Sequence, residues 1–193
     1  MLTFILANPQ SMNSSLTAIN LQPTHLHNNL LQLIPLQGTD FEKLYAVAAD
    51  PSIWEQHPQK DRYKREVFQT FFDGAMQSGG AFLIVDAATG KAIGSSRYYD
   101  YDGDEKTIAI GYTFLAKRYW GGTYNGALKQ LMLDYAFQFV DRVVLHIGPY
   151  NMRSQKAAVK IGAVKKDGTH VDKNGEERFV YEIDKQAFYK SSP

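Results

Sequence analysis

The sequence predicts an α+β domain built on a mixed, mostly antiparallel sheet. Two helical stretches precede three short segments of alternating apolar residues, which lie within residues 82–115 and are separated by tight-turn residues. Helical spacing then returns twice, and Asn174-Gly175 joins a final pair of extended segments. The predicted order is therefore one strand, two helices, three antiparallel strands, a helix, a strand, a helix and a closing hairpin.

The first part of the chain predicts a strand and two helices. The apolar run at residues 30–36 is typical of a buried strand. Thr39-Asp40 supplies N-cap chemistry for a first helix, which ends at Pro51. A second helix is expected from about 62 to 77, where Gly79-Gly80 follows.

The remaining elements follow from a change of period. Strands are expected at 82–86, 92–100 and 107–115, with turns at Thr89-Gly90 and near Gly103. A helix begins near Asn125, because apolar residues recur at helical spacing after it. The later elements are a strand at 142–147, a helix at 154–161 closed by Gly162, and strands at about 163–171 and 178–184.

Length and composition favour one domain. The chain has 193 residues, of which 44% are hydrophobic, enough for a single core over about 21–190. Residues 1–20 are expected to form a disordered tail, and translation could begin at Met1 or at Met12. The apolar N-terminus lacks a basic region, which argues against a signal peptide.

Charge and cysteine content exclude several classes of protein. The net charge is only +1, so no nucleic-acid surface is expected, and no apolar stretch is long enough to span a membrane. The chain has no cysteine, which excludes disulfides and thiolate chemistry and fits a cytoplasmic location. Without a third ligand near His25 and His27, no metal site is expected.

One candidate binding motif lies where the third antiparallel strand meets the central helix. Gly121-Gly122 allows successive backbone N–H groups to point into one concavity, with the N-terminus of the helix behind them. Lys117 and Arg118 add positive charge close by. Such a turn suits a pyrophosphate, although an ordinary glycine loop would show the same residues.

A second motif follows the strand at 142–147. Its residues Asn151, Ser154, Ala157 and Gly162 fit Asn-x-x-Ser-x-x-Ala-x-x-x-x-Gly. Together with Arg118-x-x-Gly-x-Thr, this motif resembles the GNAT superfamily of N-acetyltransferases, in the branch of the ribosomal-protein N-terminal acetyltransferases. The resemblance covers about residues 30–184.

The resemblance implies acetyl-coenzyme A as co-substrate and an amine as acceptor, either a small molecule or a protein N-terminus. The first motif would bind the pyrophosphate, and the second would lie beside the pantetheine arm, as would the strand with Ile110-Gly111-Tyr112. The implied cofactor-binding residues are Phe114, Leu115, Lys117, Arg118, Gly121, Gly122, Thr123, Tyr124, Asn125, Asn151 and Ser154. The implied acceptor-binding residues are Trp54, Glu55, His57 and Tyr98.

Two positions depart from the family pattern. Thr123 stands where the family usually has glycine or alanine, so its side chain could crowd the turn. Ala109 stands where related sequences often carry a glutamate that is a candidate general base. Deprotonation of the amine could then fall to water, to Glu55 or to the acceptor's own equilibrium.

Several residue roles stay open at this point. Ser154 is a candidate acid for the leaving thiolate, or a hydroxyl that caps or packs a helix; Asn151 is a cofactor contact or an N-cap. The tyrosines at 98–101 could line an acceptor pocket or pack on the surface, and His146 fits a hydrogen-bonded core position.

Two functions from different classes therefore compete: an N-acetyltransferase, and an acyl-CoA-binding module without turnover. Binding of a nucleotide phosphate without coenzyme A is weaker, because it leaves the Asn151 motif unexplained. The sequence allows a monomer or a homodimer.

Overall fold

The computed structural model describes residues 19–172 and 174–191. Most of the expected tail, and with it both candidate start sites, lies outside these residues. Its last two residues belong to the folded domain: Ile19 packs against the core, and the Asn20 carbonyl accepts a hydrogen bond from the Tyr135 hydroxyl at 2.7 Å. The folded domain therefore extends at least to residue 19.

In the part of the chain that the structure describes, seven strands form one sheet, as the alternating patterns predicted. They are β1 (Leu31–Pro35), β2 (Ala81–Asp86), β3 (Ala92–Asp102), β4 (Thr107–Leu115), β5 (Arg142–Ile147), β6 (Val164–Val171) and β7 (Glu177–Asp184). Their spatial order is β1-β2-β3-β4-β5-β7-β6, and only the β4–β5 pair is parallel. The mixed, mostly antiparallel sheet is thus confirmed.

Within the described residues, five α-helices surround the sheet. They are α1 (Phe41–Ala48), α2 (Arg65–Gln77), α3 (Tyr124–Ala136), α4 (Met152–Lys160) and α5 (Lys185–Ser191). The first turn expected for α2 is instead a 3-10 turn at Lys60–Tyr63, because Lys64 is extended and separates the two. The sequence analysis missed α5, since seven residues give too little periodicity to identify a helix. No helix within the described ranges is long and apolar enough to cross a membrane.

The sheet carries a hydrophobic cluster on each face. One contains Leu128, Met132 and other residues of α3, together with Phe188 of α5. The other contains α1, α2 and the segment that joins them. Phe114 of β4 belongs to this second cluster, where its ring lies 5.0 Å from that of Trp54. Packing therefore fixes the helices on both faces of the sheet.

The parallel pair is joined over only three residues. Thr107, Ile108 and Ala109 pair with residues 142–144, and beyond Ala109 the two strands have no shared register. A β-bulge accompanies the divergence, since Ser96 of β3 faces two residues of β4 and Tyr112 takes a positive φ of 53°. Because a bulge bends its strand, β4 turns away from β5 and a groove opens between them.

Candidate active site

A groove between the end of β4 and the start of α4, beyond the point where β4 leaves β5, is the candidate active site. It encloses about 160 Å³. Its lining comes from three regions: the α1–α2 connection, the end of β4 with the turn into α3, and the start of α4. The lining residues are Ile53, Trp54, His57, Thr113, Phe114, Leu115, Tyr119, Trp120, Gly121, Asn125, Asn151, Arg153, Ser154 and Ala157.

The turn at one end of the groove presents unpaired backbone donors. The first bond into α3 runs from the Ala127 N–H to the Thr123 carbonyl, and the N–H groups of residues 121–126 donate to no acceptor in the described chain. Gly121 takes a φ of +69°, and a Cβ placed on it or on Gly122 would meet open space. Six consecutive free N–H groups at a helix N-terminus suit a pyrophosphate.

Fewer side chains around this turn face the groove than the sequence predicted. Lys117 and Arg118 line a neighbouring depression of about 540 Å³, together with Lys43 and Lys91. The Tyr124 hydroxyl donates to Asp86 at 2.7 Å, so only the backbone of this residue faces the turn. The Thr123 side chain caps nothing and is exposed.

The second motif forms the opposite wall. Asn151 is the N-cap of α4, because its Oδ1 accepts the Ser154 N–H at 3.1 Å. Its Nδ2 group makes no hydrogen bond within the described residues and can still reach a ligand. The Ser154 Oγ likewise has no partner in that part of the chain and is not sealed in the interior. The capping role belongs to Asn151, and the serine hydroxyl stays available.

The α1–α2 connection supplies the third wall. Trp54 is 3% exposed, and its Nε1 donates to the Ala48 carbonyl at 2.7 Å, which fixes the indole. Glu55 is exposed and makes no ion pair among the described residues. Burial, followed by the nearby charges of Arg62 and Arg178, lowers the pKa of His57 from 6.5 to about 3. His57 is therefore neutral at neutral pH.

The prediction that Tyr98 contacts the acceptor is wrong. Tyr98 has no exposed surface, and its hydroxyl donates to the Met132 carbonyl of α3 at 2.6 Å. Residue 98 points to the α3 face of the sheet, whereas its neighbours Arg97 and Tyr99 point to the other face. Alternation along β3 is the physical reason, since the tyrosine cluster divides between two faces.

Sequence reasoning also missed Arg153, which crosses the groove. Its Nη2 donates to the Ile53 carbonyl at 2.6 Å, and its backbone N–H donates to the Gln56 side chain at 3.0 Å. The guanidinium carbon lies 3.9 Å from the centre of the Trp120 ring. This residue holds α4 against the α1–α2 connection. The sequence did contain one indication of a role for Arg153, since this residue lies next to Ser154 in the second motif.

The remaining histidines form no metal site. Within residues 19–172 and 174–191, no three His, Asp or Glu side chains are placed to hold a metal ion together. His146 is half-buried and hydrogen-bonded, with its Nδ1 3.0 Å from the Tyr99 hydroxyl and its ring stacked on His170 at 3.9 Å. Burial lowers the pKa of His146 to about 4.

The arrangement suits an extended ligand. One end of the groove offers anion-binding N–H groups, and its length is bordered by the β4 edge, which lost its strand partner beyond Ala109. Free N–H and C=O groups on such an edge can pair with amide groups of a ligand. Where the strands diverge, an N–H donor could also stabilise a developing oxyanion.

Comparison with known proteins identifies a family and a fold. Residues 31–164 match the family model described as "Acetyltransferase (GNAT) domain". No match was found among curated proteins. The fold is similar to that of a GCN5-related N-acetyltransferase from Brucella melitensis, with a TM-score of 0.73, 18% identity, and coverage of 85% of this chain and 80% of the other.

Two further structures share the fold. Mycobacterium smegmatis RimJ in complex with CoA-disulfide has a TM-score of 0.62 and 17% identity, with 83% and 87% coverage of this chain and its own. A Vibrio cholerae structure assigned as a ribosomal-protein-serine acetyltransferase has a TM-score of 0.64 and 15% identity, with 82% and 96% coverage. At such identities the similarity shows the fold, and the resemblance to the GNAT family is confirmed by the family-model match over residues 31–164.

Proposed function

Because the chain belongs to the GNAT family of acetyltransferases, we propose that it transfers an acetyl group from acetyl-CoA to an amine. The acceptor is the amine of a small molecule or of a protein N-terminus. The observation that carries the proposal is the groove that joins the free N–H groups of residues 121–126 to the unpaired edge of β4.

Each part of the cofactor has a matching surface in this groove. The pyrophosphate lies on the free N–H groups of the turn, where Gly121 and Gly122 leave room for close approach. The pantetheine amides pair with the β4 edge near Thr113 and Leu115. The Nδ2 group of Asn151 borders the same path from the opposite wall.

The chemical step needs little from the protein beyond orientation. The amine nitrogen attacks the thioester carbonyl carbon, the C–S bond breaks, and the amine proton leaves. A backbone N–H of β4 stabilises the charge on the carbonyl oxygen. The departing thiolate resembles that of cysteine, with a pKa of about 8.5, and takes its proton from the Ser154 hydroxyl or from water.

No carboxylate stands at the usual position for a base. Ala109 is 2% exposed, and its methyl group occupies the last paired position of β4 before the divergence. Glu55 lies on the α1–α2 connection, and His57 is a weak base in its buried setting. We therefore assign the proton to water, with Glu55 as the alternative base.

The first test is cofactor binding. Gly121→Val should weaken acetyl-CoA binding by at least about tenfold, because a β-branched residue resists positive φ and its side chain would occupy the phosphate position. Isothermal titration calorimetry measures the affinity, and circular dichroism confirms folding. Gly79→Val is a matched control, because Gly79 has a similar φ of +60° after α2 and lines neither the groove nor the neighbouring depression. Equal losses in the two variants would contradict the role of the 121–126 turn.

A second candidate function is acyl-CoA binding without turnover, which Ala109 favours. The two functions differ in thiol release from acetyl-CoA. Acetyl-CoA-dependent thiol release with any amine of a broad panel supports the enzyme. Tight acetyl-CoA binding with no thiol release above the rate without protein supports the binding module.

A further inference from the structure

Two arginines are buried beside the groove without a carboxylate partner. Arg62 is 7% exposed and Arg97 is 6% exposed. Arg62 bonds the Gln59 side chain and lies 3.1 Å from the His57 Nε2, and Arg97 donates to the Gly74 carbonyl at 2.9 Å. Neither guanidinium has an ion pair among the described residues, although burying a charge is costly unless it is compensated.

Both guanidinium groups pack on the same aromatic side chain. Arg62 lies 4.8 Å from the centre of the Phe71 ring, and Arg97 lies 5.5 Å from it. Arg97 also lies 3.8 Å from the centre of the Tyr112 ring. Cation–π contacts of this kind orient a guanidinium and leave its edge free for hydrogen bonds.

Arg97 keeps hydrogen-bond donors available. Its Nε and Nη2 groups make no hydrogen bond in the described part of the chain. In that same part, the one buried side-chain polar atom without a partner is the Ser52 Oγ, so both arginine nitrogens reach solvent. The residue is held in place by packing, and its Nε and Nη2 groups keep some contact with solvent.

Arg97 is connected to the groove through packing, because the Phe71 ring against its guanidinium lies 5.9 Å from the ring of Phe114, which lines the groove. Arg97 is the β3 partner of Gly111, next to the bulge at Tyr112 where β4 leaves β5. Arg62 is joined to the groove through His57, which lines it. On the far side, the Arg178 Nη1 lies 3.1 Å from the position that a Cβ on Gly148 would take.

The other charged groups of this face compensate the two arginines only in part, since Glu176 attracts Arg62 from a distance but no carboxylate of the described residues forms an ion pair with either arginine. Arg178 is paired with Asp172 and Glu176 at 2.6 and 2.5 Å, so the carboxylates of the β6–β7 hairpin are already engaged. The remaining titratable side chains are Tyr99, Tyr112, His146 and His170, with Asp100 at the edge. His57 and His146 are neutral at neutral pH.

We propose that the acceptor carries an anionic group, a carboxylate or a phosphate, which binds the free N–H groups of Arg97 while Arg62 adds its charge. This inference rests on the proposed acetyl transfer and names its substrate class. An oxyanion supplies negative charge that balances the buried guanidinium groups. The edge of a guanidinium binds such a group with two parallel hydrogen bonds.

The test compares matched acceptors that differ in one charge. The pairs are β-alanine with β-alaninamide, phosphoethanolamine with ethanolamine, and the peptide Ala-Glu-Phe with Ala-Gln-Phe. The kcat/KM of each, per concentration of free amine, is measured by thiol release from acetyl-CoA. We expect the anionic member of at least one pair to be favoured by about 10- to 100-fold, the range of a charge-assisted hydrogen bond. The favoured pair distinguishes a small carboxylate, a phosphate and a peptide.

Variants assign the preference to the arginine. Arg97→Gln should reduce the ratio to near one, whereas Arg97→Lys should keep part of it. Arg65→Gln is the control, since Arg65 is exposed on α2 and pairs with Glu42. Turnover with equal or greater preference for neutral acceptors in every pair, or a preference that survives Arg97→Gln, overturns the inference. Absence of thiol release with all amines, despite acetyl-CoA binding, refutes the proposed transfer instead.

Discussion

Lys129 of α3 gives a quantitative test of the interior of this fold. The residue is 7% exposed, and its Nζ donates to the Thr113 Oγ1 at 2.8 Å. The Thr113 hydroxyl lies 2.8 Å from that of Ser96, so the ammonium bonds one hydroxyl group, which is itself bonded to a second, and it meets no carboxylate in the described chain. Burial lowers the pKa of Lys129 from 10.5 to about 7.

The sign of the pH dependence follows from this depressed pKa. Between pH 7 and pH 10.5 the unfolded chain holds the lysine proton and the folded chain has released it, so stability rises with pH across this window. At 1.36 kcal/mol per pH unit, the full effect is about 5 kcal/mol. The penalty is fully present below pH 7 and has disappeared above pH 10.5.

Lys129→Met removes the penalty and keeps a side chain of similar length. We expect the free energy of unfolding at pH 7 to rise by about 2–4 kcal/mol, after the loss of a hydrogen bond worth about 1 kcal/mol. The gain should shrink steadily as the pH is raised. Urea unfolding followed by tryptophan fluorescence at pH 6.5, 8 and 9.5 measures it.

The control is Lys91→Met, because Lys91 is an exposed residue of the β2–β3 turn and the substitution changes the net charge equally. Its stability difference from the wild type should not vary with pH. If Lys129→Met shows a constant difference at all three pH values, the lysine does not change protonation on folding and the reasoning is refuted.

Three further predictions concern the groove. Ser154→Ala should lower kcat by about tenfold or more with little change in the KM for acetyl-CoA or in stability, because its hydroxyl has no partner in the described fold; an unchanged kcat per folded molecule would remove the serine from the reaction. Tyr98→Phe should cost about 1 kcal/mol of stability and leave kcat/KM unchanged, since its hydroxyl bonds the Met132 carbonyl; a raised acceptor KM would contradict its core position. Glu55→Gln, assayed for kcat/KM against pH with an α-amine and a lysine-type amine (pKa about 8 and 10.4), should keep an inflection that follows the acceptor; its disappearance would make Glu55 the base.

The order of elements could be read from the sequence because it depends on local signals. The boundaries of β4 and β5 were predicted to the residue, since turn residues and β-branched runs mark both ends. The Gly121 turn and the Asn151 cap are also local, because each is made by residues within a few positions of one another. Where the signal was short or irregular, at α5 and before α2, the prediction failed.

The division of a strand between two faces needed the tertiary structure. Alternation places Tyr98 and Arg97 on opposite faces, but the sequence does not say which face meets α3 and which meets the groove. Likewise, the helical spacing of α3 does not reveal that Lys129 is buried, because its burial depends on how deeply the helix packs into the core.

The sequence by itself determined the order of the strands and of α1 to α4, and the glycine turn before α3, all from contacts between neighbours in the chain. The tertiary structure decided the divergence of β4 from β5, the strap made by Arg153, and the meeting of Arg62 with Arg97 around Phe71. These features join residues that are 9 to 100 positions apart in the chain, from Arg62 and Phe71 to Arg153 and Ile53. Such distances are closed by packing of the whole domain, and no local propensity encodes them.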